Sequence, residues 1–256
     1  MQRMDFKQTE IGEIPKDWDM KKLSDFCDIL MGQSPPSSTY NINKEGLPFF
    51  QGRKDFGMKF PVKTMWCTEP TRIANSEDVL LSVRAPVGDV NVAIEKCCIG
   101  RGLSALSMKN GDKKFLYYLL LHNQQKLKQI FESEGTVFGC VTKDGLRDFE
   151  VAVPVKDEEQ RAIAKILSDL DEKIELNHQM NKTLESIAQA IFKRWFVDFE
   201  FPDEKGKPYR SSGGKMVGSE LGEMPDRWSV KEIVNCGEVV CGKTPPTANK
   251  GNYGED

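Results

Sequence analysis

Histidine is nearly absent from this sequence, and its cysteines lack the spacing of a metal site. The 256 residues include 2 histidines and 7 cysteines, and no two cysteines form a C-x-x-C pair. Protein zinc sites are built mainly from these two residue types at short, fixed spacings. We therefore expect no His-based metal site, no nucleophilic triad and no metal or cofactor.

Long apolar runs and a secretory signal are also missing. No stretch of about 18 apolar residues occurs, so neither a transmembrane helix nor a membrane partner is expected. Without a signal peptide, the cysteines are interpreted as reduced thiols, which predicts a cytoplasmic protein. The composition, with 39% hydrophobic and 29% charged residues, is typical of a soluble globular chain.

The sequence has no excess of positive charge and none of the common catalytic motifs. The formal net charge is −3, so any anion-binding face must arise from charges segregated to one side. We find no N/D-P-P-Y/F stretch of an amino-methyltransferase, no G-x-G-x-x-G and no Walker-type loop. The acidic run Pro202–Lys205 lies in a linker-like segment without a partner on a strand. An enzyme with its own methyltransferase or nuclease activity is therefore disfavoured.

What the sequence does contain is a heptad seam between about Asp157 and Phe199, with spacings that alternate between 4 and 3. This pattern predicts a helix of about 43 residues and roughly 64 Å. Asp157 is the predicted N-cap and Gln160 would complete a capping box. The helix-interface residues predicted from the seam and its flank are Ile163, Leu167, Leu170, Ile174, Asn177, Asn181, Leu184, Ile187, Ile191 and Trp195.

Two interpretations of this helix remain open. It could be an amphipathic helix that packs along its own domain, or a spacer that pairs with a second long helix. Asn177 and Asn181 favour the second interpretation, because polar residues within a seam fix register and partner at some cost in stability.

The residues before the helix predict a mixed α/β (α+β) domain. Short strands are expected at Leu47–Gln51, Asp78–Arg84, Val90–Ile94 and Phe149–Pro154, and one helix at Lys113–Ile130. Trp18, Trp66 and Phe50 are interpreted as core residues.

An internal repeat follows the helix. Residues 220–228 repeat residues 10–18, and residues 242–247 repeat residues 32–37, both at an offset of 210. Because two separate segments keep the same offset, the chain is predicted to begin a second copy of its first domain. The residues from 220 onward are too few to bury a core of their own.

In these features the sequence resembles the specificity (S) subunit of type I restriction–modification systems. The stretches that carry the resemblance, in this order and together with the repeat, are Gly12–Trp18, Gly32–Pro36, Asp78–Gly88, Ile99–Leu103, and Pro154 with Glu158–Ile163.

The resemblance implies a non-catalytic subunit with two target-recognition domains, each reading half of a bipartite DNA site. In this chain, residues 1–155 would form one such domain, 156–200 a spacer and dimerisation helix, 201–219 a linker, and 220–256 a truncated second domain. The implied partners are double-stranded DNA, methyltransferase (M) subunits and, through them, the restriction (R) subunit. A second copy bound through the helix is a further expected partner.

Several loops carry side chains suited to phosphates or base edges. In the Pro-stiffened loop these are Gln33 and Ser34, and an ordinary turn is the alternative. After the strand at 47–51 they are Gln51, Arg53 and Lys54, where Gly52 is expected to permit close approach and a solvated turn is the alternative. The remaining candidates are Arg84, Arg101, Thr142 and Lys143.

Arg84 is the candidate with the strongest structural alternative, an ion pair with Asp89 or Glu77.

At the level of the whole chain, the leading hypothesis is a DNA-binding specificity subunit. A coiled-coil interaction protein and a catalytic protein are the alternatives.

Overall fold

The computed structural model describes residues 5–10, 12–109, 112–133 and 141–244. The chain forms two compact units, Met1–Glu175 and Leu176–Asp256. No helix in the described ranges is long and apolar enough to cross a membrane.

The first unit contains strands and short helices that precede one long helix. Its strands are β1 (Phe6–Thr9), β2 (Gly12–Pro15), β3 (Trp18–Lys22), β4 (Cys27–Met31), β5 (Tyr40–Asn41), β6 (Leu47–Phe50), β7 (Trp66–Cys67), β8 (Ile73–Ala74), β9 (Val79–Ser82), β10 (Val90–Val92), β11 (Cys97–Ile99), β12 (Leu103–Met108) and β13 (Glu150–Pro154). Its helices are α1 (Leu23–Phe26), α2 (Lys113–His122), α3 (Gln124–Ser133), α4 (Lys143–Asp148) and the beginning of α5 (Asp157–Phe192).

A four-stranded antiparallel sheet, in the order β10-β9-β12-β4, supports the main core. All four residues of β9 are buried, and β9 pairs with β10 so that Val90 lies opposite Leu81. The strands predicted at 78–84 and 90–94 are thus confirmed. One face of this sheet packs against α2, through residues such as Leu116 and Leu120.

A second, mixed sheet has the order β5-β7-β6-β11-β8, in which β6 and β11 run parallel. Phe50 on β6 is buried, as predicted, whereas Trp18 and Trp66 are half-buried. The carboxyl ends of β4, β9, β6 and β11 converge where β12 begins, so this is the place at which loops from both sheets meet.

The single helix predicted at Lys113–Ile130 is wrong, because the structure has two helices that break at Asn123. The side-chain amide of Asn123 donates to the Leu119 carbonyl, 2.8 Å away. Asn side chains compete for backbone carbonyls in this way and so disfavour the middle of a helix.

The long helix is confirmed, but its predicted cap is wrong. Helix α5 continues through a π-helical turn, Lys193–Val197. Asp157 is the first helical residue, and the Gln160 amide donates to the Pro154 carbonyl at 2.9 Å instead of closing a capping box. The Trp18 indole N–H donates to Glu159 at 2.9 Å, which ties β3 to the start of the helix.

Helix α5 packs on the first unit through small and polar residues, not through its apolar seam. Gln160, Ala164 and Ser168 are buried. Among the seam residues only Ile163 is partly buried against the core, while Leu170, Ile174 and Leu184 are 55%, 50% and 59% exposed. The interpretation of an amphipathic helix that covers its seam with its own domain is therefore wrong.

A half-buried polar cluster holds α5 on the first unit. Asp171 accepts hydrogen bonds from Tyr118, at 2.7 Å, and from Lys59, at 2.8 Å. Partial burial opposes ionisation of Asp171, but the hydrogen bonds from Lys59 and Tyr118 outweigh it and hold the pKa of this carboxyl below its usual value.

We expect Asp171→Asn to lower the free energy of unfolding by about 1 kcal/mol at neutral pH. Because the folded-state pKa of Asp171 is depressed, its contribution is complete above the unfolded pKa and is lost as pH falls through the folded pKa. Urea denaturation at pH 7 and near pH 3 should show the wild type and variant converging in acid. Asp169→Asn, which removes an exposed ion pair with Lys165, is the matched control and should change little. If the difference in free energy of unfolding between the wild type and Asp171→Asn stayed constant with pH, the ionised Asp171 carboxylate would not be its cause.

In the second unit, a hairpin of β14 (Met216–Ser219) and β15 (Gly222–Pro225) follows the helix. Its register, Met216 opposite Pro225, equals the Phe6 to Pro15 register of the β1–β2 hairpin at the offset of 210. Trp228 then stacks on Phe201, with ring centroids 5.7 Å apart.

Candidate nucleic-acid interface

A cleft of about 700 Å³ lies where the loops of the two sheets meet. The residues that line it come from the ends of four strands and from the connection between β11 and β12. Six of the nine residues predicted to contact DNA line this cleft, namely Ser34, Gln51, Arg53, Lys54, Arg84 and Arg101.

Backbone hydrogen bonds clamp these loops together. Gly32 N–H donates to the Leu103 carbonyl at 2.9 Å, Gly100 N–H to Phe50 at 2.8 Å, and Gly102 N–H to Gln51 at 3.1 Å. The first bond joins the segment after β4 to the start of β12, and the other two join the end of β6 to the connection between β11 and β12, so the side chains of the cleft are carried on a rigid backbone.

Two glycines make this close packing possible. A Cβ on Gly32 would lie 2.1 Å from the Gly100 carbonyl oxygen, and one on Gly102 would lie 2.5 Å from the Gln51 oxygen. Gly52, which was expected to permit the approach, has room for a Cβ, since the nearest atom would be 3.9 Å away. The expectation for Gly52 is therefore wrong. Gly32 and Gly102 are the glycines that allow the close contact between loops.

Arg53 is the most firmly held cation of the cleft. Its Nε donates to Oδ2 of Asp89 at 2.6 Å, and Lys128 and Gln124 donate to Oδ1 at 2.9 and 2.6 Å. Burial opposes ionisation of Asp89, yet the hydrogen bonds from Lys128 and Arg53 outweigh it and keep the pKa of Asp89 below its ordinary value.

Arg84 does not form the predicted ion pair with Asp89 or Glu77. Asp89 is occupied by Arg53 and Lys128 instead, and Arg84 is exposed at the wall of the cleft. Arg84 therefore carries a charge that no described carboxylate neutralises.

Cations dominate the electrostatics of the cleft. Lys54, Arg84 and Arg101 form no ion pair with a described residue, and no acidic side chain is among the described residues that line the cleft. A net charge of −3 for the chain thus coexists with a locally positive concave surface, which attracts polyanions.

The other three predicted residues lie outside the cleft. Gln33 is exposed beside it, with its backbone held by Ile99. Thr142 caps α4 by accepting a hydrogen bond from the Gly145 N–H at 3.0 Å. Lys143 lines a separate cleft of about 190 Å³ with Lys109 and Arg147. The neighbouring loop residues 139 and 140 lie outside the described residues.

The residues that support Arg53 could not be identified from the sequence. Asp89, Gln124 and Lys128 are separated from it by 36 to 75 positions, and no local pattern links them. Only the antiparallel pairing of β9 with β10 and the packing of α3 bring them together.

Comparison with known proteins identifies one family. Residues 15–186 match the family described as the type I restriction modification DNA specificity domain. The chain is 41% identical over 190 residues to a Methanocaldococcus jannaschii protein named as the type I restriction enzyme MjaX specificity subunit, covering 73% of this chain and 44% of that protein. It is 31% identical over 259 residues to the MjaIX specificity subunit of the same organism, covering 94% of this chain and 56% of that protein.

Solved structures give the same picture. The HsdS subunit from Thermoanaerobacter tengcongensis is 38% identical with a TM-score of 0.56, over 75% of this chain and 47% of that chain. The S subunit from M. genitalium shares the fold, with a TM-score of 0.57 at 19% identity, over 70% of this chain and 46% of that chain. The chain thus spans about half the length of the relatives that it matches.

Proposed function

Because this chain belongs to the family of the type I restriction modification DNA specificity domain, we propose that it recognises double-stranded DNA for a type I restriction–modification complex. In this proposal the first unit reads one half of a bipartite site and catalysis is left to partner subunits. The family's action on DNA also agrees with the cytoplasmic location predicted from the reduced thiols.

The observation that carries the proposal is the composition of the cleft. It combines three cations without ion-pair partners, suited to phosphates, with amide and guanidinium groups suited to base edges. Backbone contacts between loops hold these groups, which lowers the entropic cost of ordering them on a duplex.

The alternative of a catalytic protein finds little support in the residues. Asp203, in the acidic run 202–205, uses Oδ1 to accept the backbone N–H groups of Lys205 and Lys207, each at 2.8 Å. This carboxylate therefore stabilises its own turn.

The decisive experiment is co-purification with a type I methyltransferase subunit. Sequence-specific DNA methylation with the complex, and none with the subunit alone, is the expected result. Methylation by this chain alone would favour the enzyme alternative. Absence of salt-sensitive duplex binding would favour the coiled-coil alternative, because phosphate contacts release counterions.

We expect Arg101→Ala to weaken duplex binding about equally for all sequences. Loss of one phosphate contact should reduce the slope of log affinity against log salt concentration by about 1. Binding titrations at several salt concentrations measure the slope. Lys63→Ala, which removes a cation that is paired with Glu95 outside the cleft, is the control. An unchanged slope for Arg101→Ala would remove this residue from the phosphate contacts.

We further propose that residues 156–200 act as a spacer and as a docking surface for methyltransferase subunits or a second copy of the chain. The hairpin of residues 216–225 supports the proposal that residues 220–256 begin a second recognition domain, because its strands pair in the same register as those of the first hairpin at the offset of 210. At the same offset, Lys215 corresponds to Asp5 and Asp226 to Lys16. Each pair forms an ion pair, with the acidic and the basic residue exchanged.

A further inference from the structure

The carboxylate of Asp89 lies behind the cleft and is fixed from several directions. Its side chain is 17% exposed, and both oxygens accept hydrogen bonds, one from Arg53 and the other from Gln124 and Lys128. The backbone N–H of Asp89 donates to the Ser82 hydroxyl at 2.9 Å. Contacts with β9 and α3 therefore hold Asp89 in place in addition to its bond with Arg53.

This carboxylate holds Arg53 by one nitrogen only. The contact is made by Nε, and neither terminal nitrogen donates to another described residue. Arg53 is 57% exposed and lines the cleft. With Nε fixed, the plane of the guanidinium is restricted, and one N–H from each of the two terminal nitrogens remains available as a parallel pair of donors.

The same carboxylate makes Arg53 a poor ligand for phosphate. A negative charge 2.6 Å from the guanidinium repels a fully charged phosphate more strongly than it repels the partial negative charges on the edge of a base. Guanine presents two acceptors, O6 and N7, at the spacing of a bidentate arginine fork. Lys54, Arg84 and Arg101 have no such carboxylate and suit phosphates better.

We propose that Asp89 is a positioning residue that aims Arg53 at the edge of a guanine base. Arg53 supplies base discrimination at one position of the site, and the other three cations supply affinity without discrimination. This inference rests on the proposed recognition of DNA.

Selection from a pool of randomised duplexes tests the inference. The full chain, in complex with a type I methyltransferase subunit, is compared with Arg53→Ala, Asp89→Asn and Asp19→Asn. The last variant makes the same change of net charge as Asp89→Asn, at an exposed ion pair with Lys7 outside the cleft and outside α5. We expect the wild type and Asp19→Asn to select guanine at a given position. Arg53→Ala and Asp89→Asn should both lose that preference, by about 5- to 150-fold, and keep the others.

Each outcome has a distinct meaning. Loss of guanine preference in Arg53→Ala but not in Asp89→Asn would overturn the positioning role. Equal weakening at every position in Asp89→Asn, with a lowered melting temperature, would make Asp89 a structural residue only. Unchanged preferences in both variants would remove Arg53 from base reading. If the wild type selected no sequence, the proposed function itself would fail.

Discussion

Replacing Leu184 with alanine should convert a dimer of this chain into a monomer at micromolar concentration. Leu184 is 59% exposed in the single chain, within a stripe whose other members from Leu167 to Trp195 are also exposed. An apolar surface of this extent marks an interaction site. If a second copy buries it, truncation to alanine costs about 2–5 kcal/mol per helix. Since a two-fold dimer contains the change twice, the dissociation constant should rise by three orders of magnitude or more.

Sedimentation at micromolar concentration measures the change, and Glu185→Ala, at the next and exposed position, is the control. A strictly monomeric wild type without methyltransferase subunits would rule out the homodimer. The stripe would then be a docking surface for those subunits alone.

The two asparagines predict the register of such a dimer. In an antiparallel pair centred near residue 179, Asn177 lies opposite Asn181 of the second copy and Ile174 lies opposite its Leu184. This register pairs amide with amide and apolar with apolar along the whole seam. Replacement of both asparagines by leucine should therefore strengthen the pair and loosen its register.

Gly32→Ala should disrupt both the stability of the first unit and its binding to DNA. A Cβ at this position would meet the backbone oxygens of Gly100 and Leu103 at 2.1 and 2.8 Å. Backbone atoms in a clamped loop cannot turn aside as a side chain can, so the loops must separate. We expect the free energy of unfolding to fall by about 1–3 kcal/mol or more, and duplex binding to be lost because the cleft is no longer assembled.

Gly52→Ala, in the same cleft, is the matched control. Gly52 is extended, with φ near 180°, and has 3.9 Å of space around a new Cβ. Its replacement should leave stability unchanged or raise it by up to about 1 kcal/mol. Urea denaturation and duplex titration measure both variants. Equal behaviour of Gly32→Ala and Gly52→Ala would contradict the backbone clamp.

The features that could be predicted from the sequence depend on local period or on self-similarity. The seam of α5 has a heptad spacing, and β9 and β10 flank a turn, so their existence follows from side-chain direction along a helix or strand. The likeness of residues 220–228 to residues 10–18 was predictable because a repeat is visible in the sequence itself, whereas the hairpins in which both segments take part were not predicted. The lining of the cleft was predictable in part, since polar residues at strand ends are exposed wherever the strands meet.

Only the tertiary structure decided which of the apolar and charged side chains find a partner within the chain. The seam predicts an apolar interface, but the fold places Gln160, Ala164 and Ser168 against the first unit and leaves the seam exposed. Arg53 was predicted as a surface donor, yet its orientation depends on Asp89 and on α3, which the chain reaches 36 and 71 or more positions later. Local sequence sets the direction and spacing of side chains. Contacts between distant segments are set by strand pairing and helix packing, and these determine which charges are neutralised and which remain available to bind.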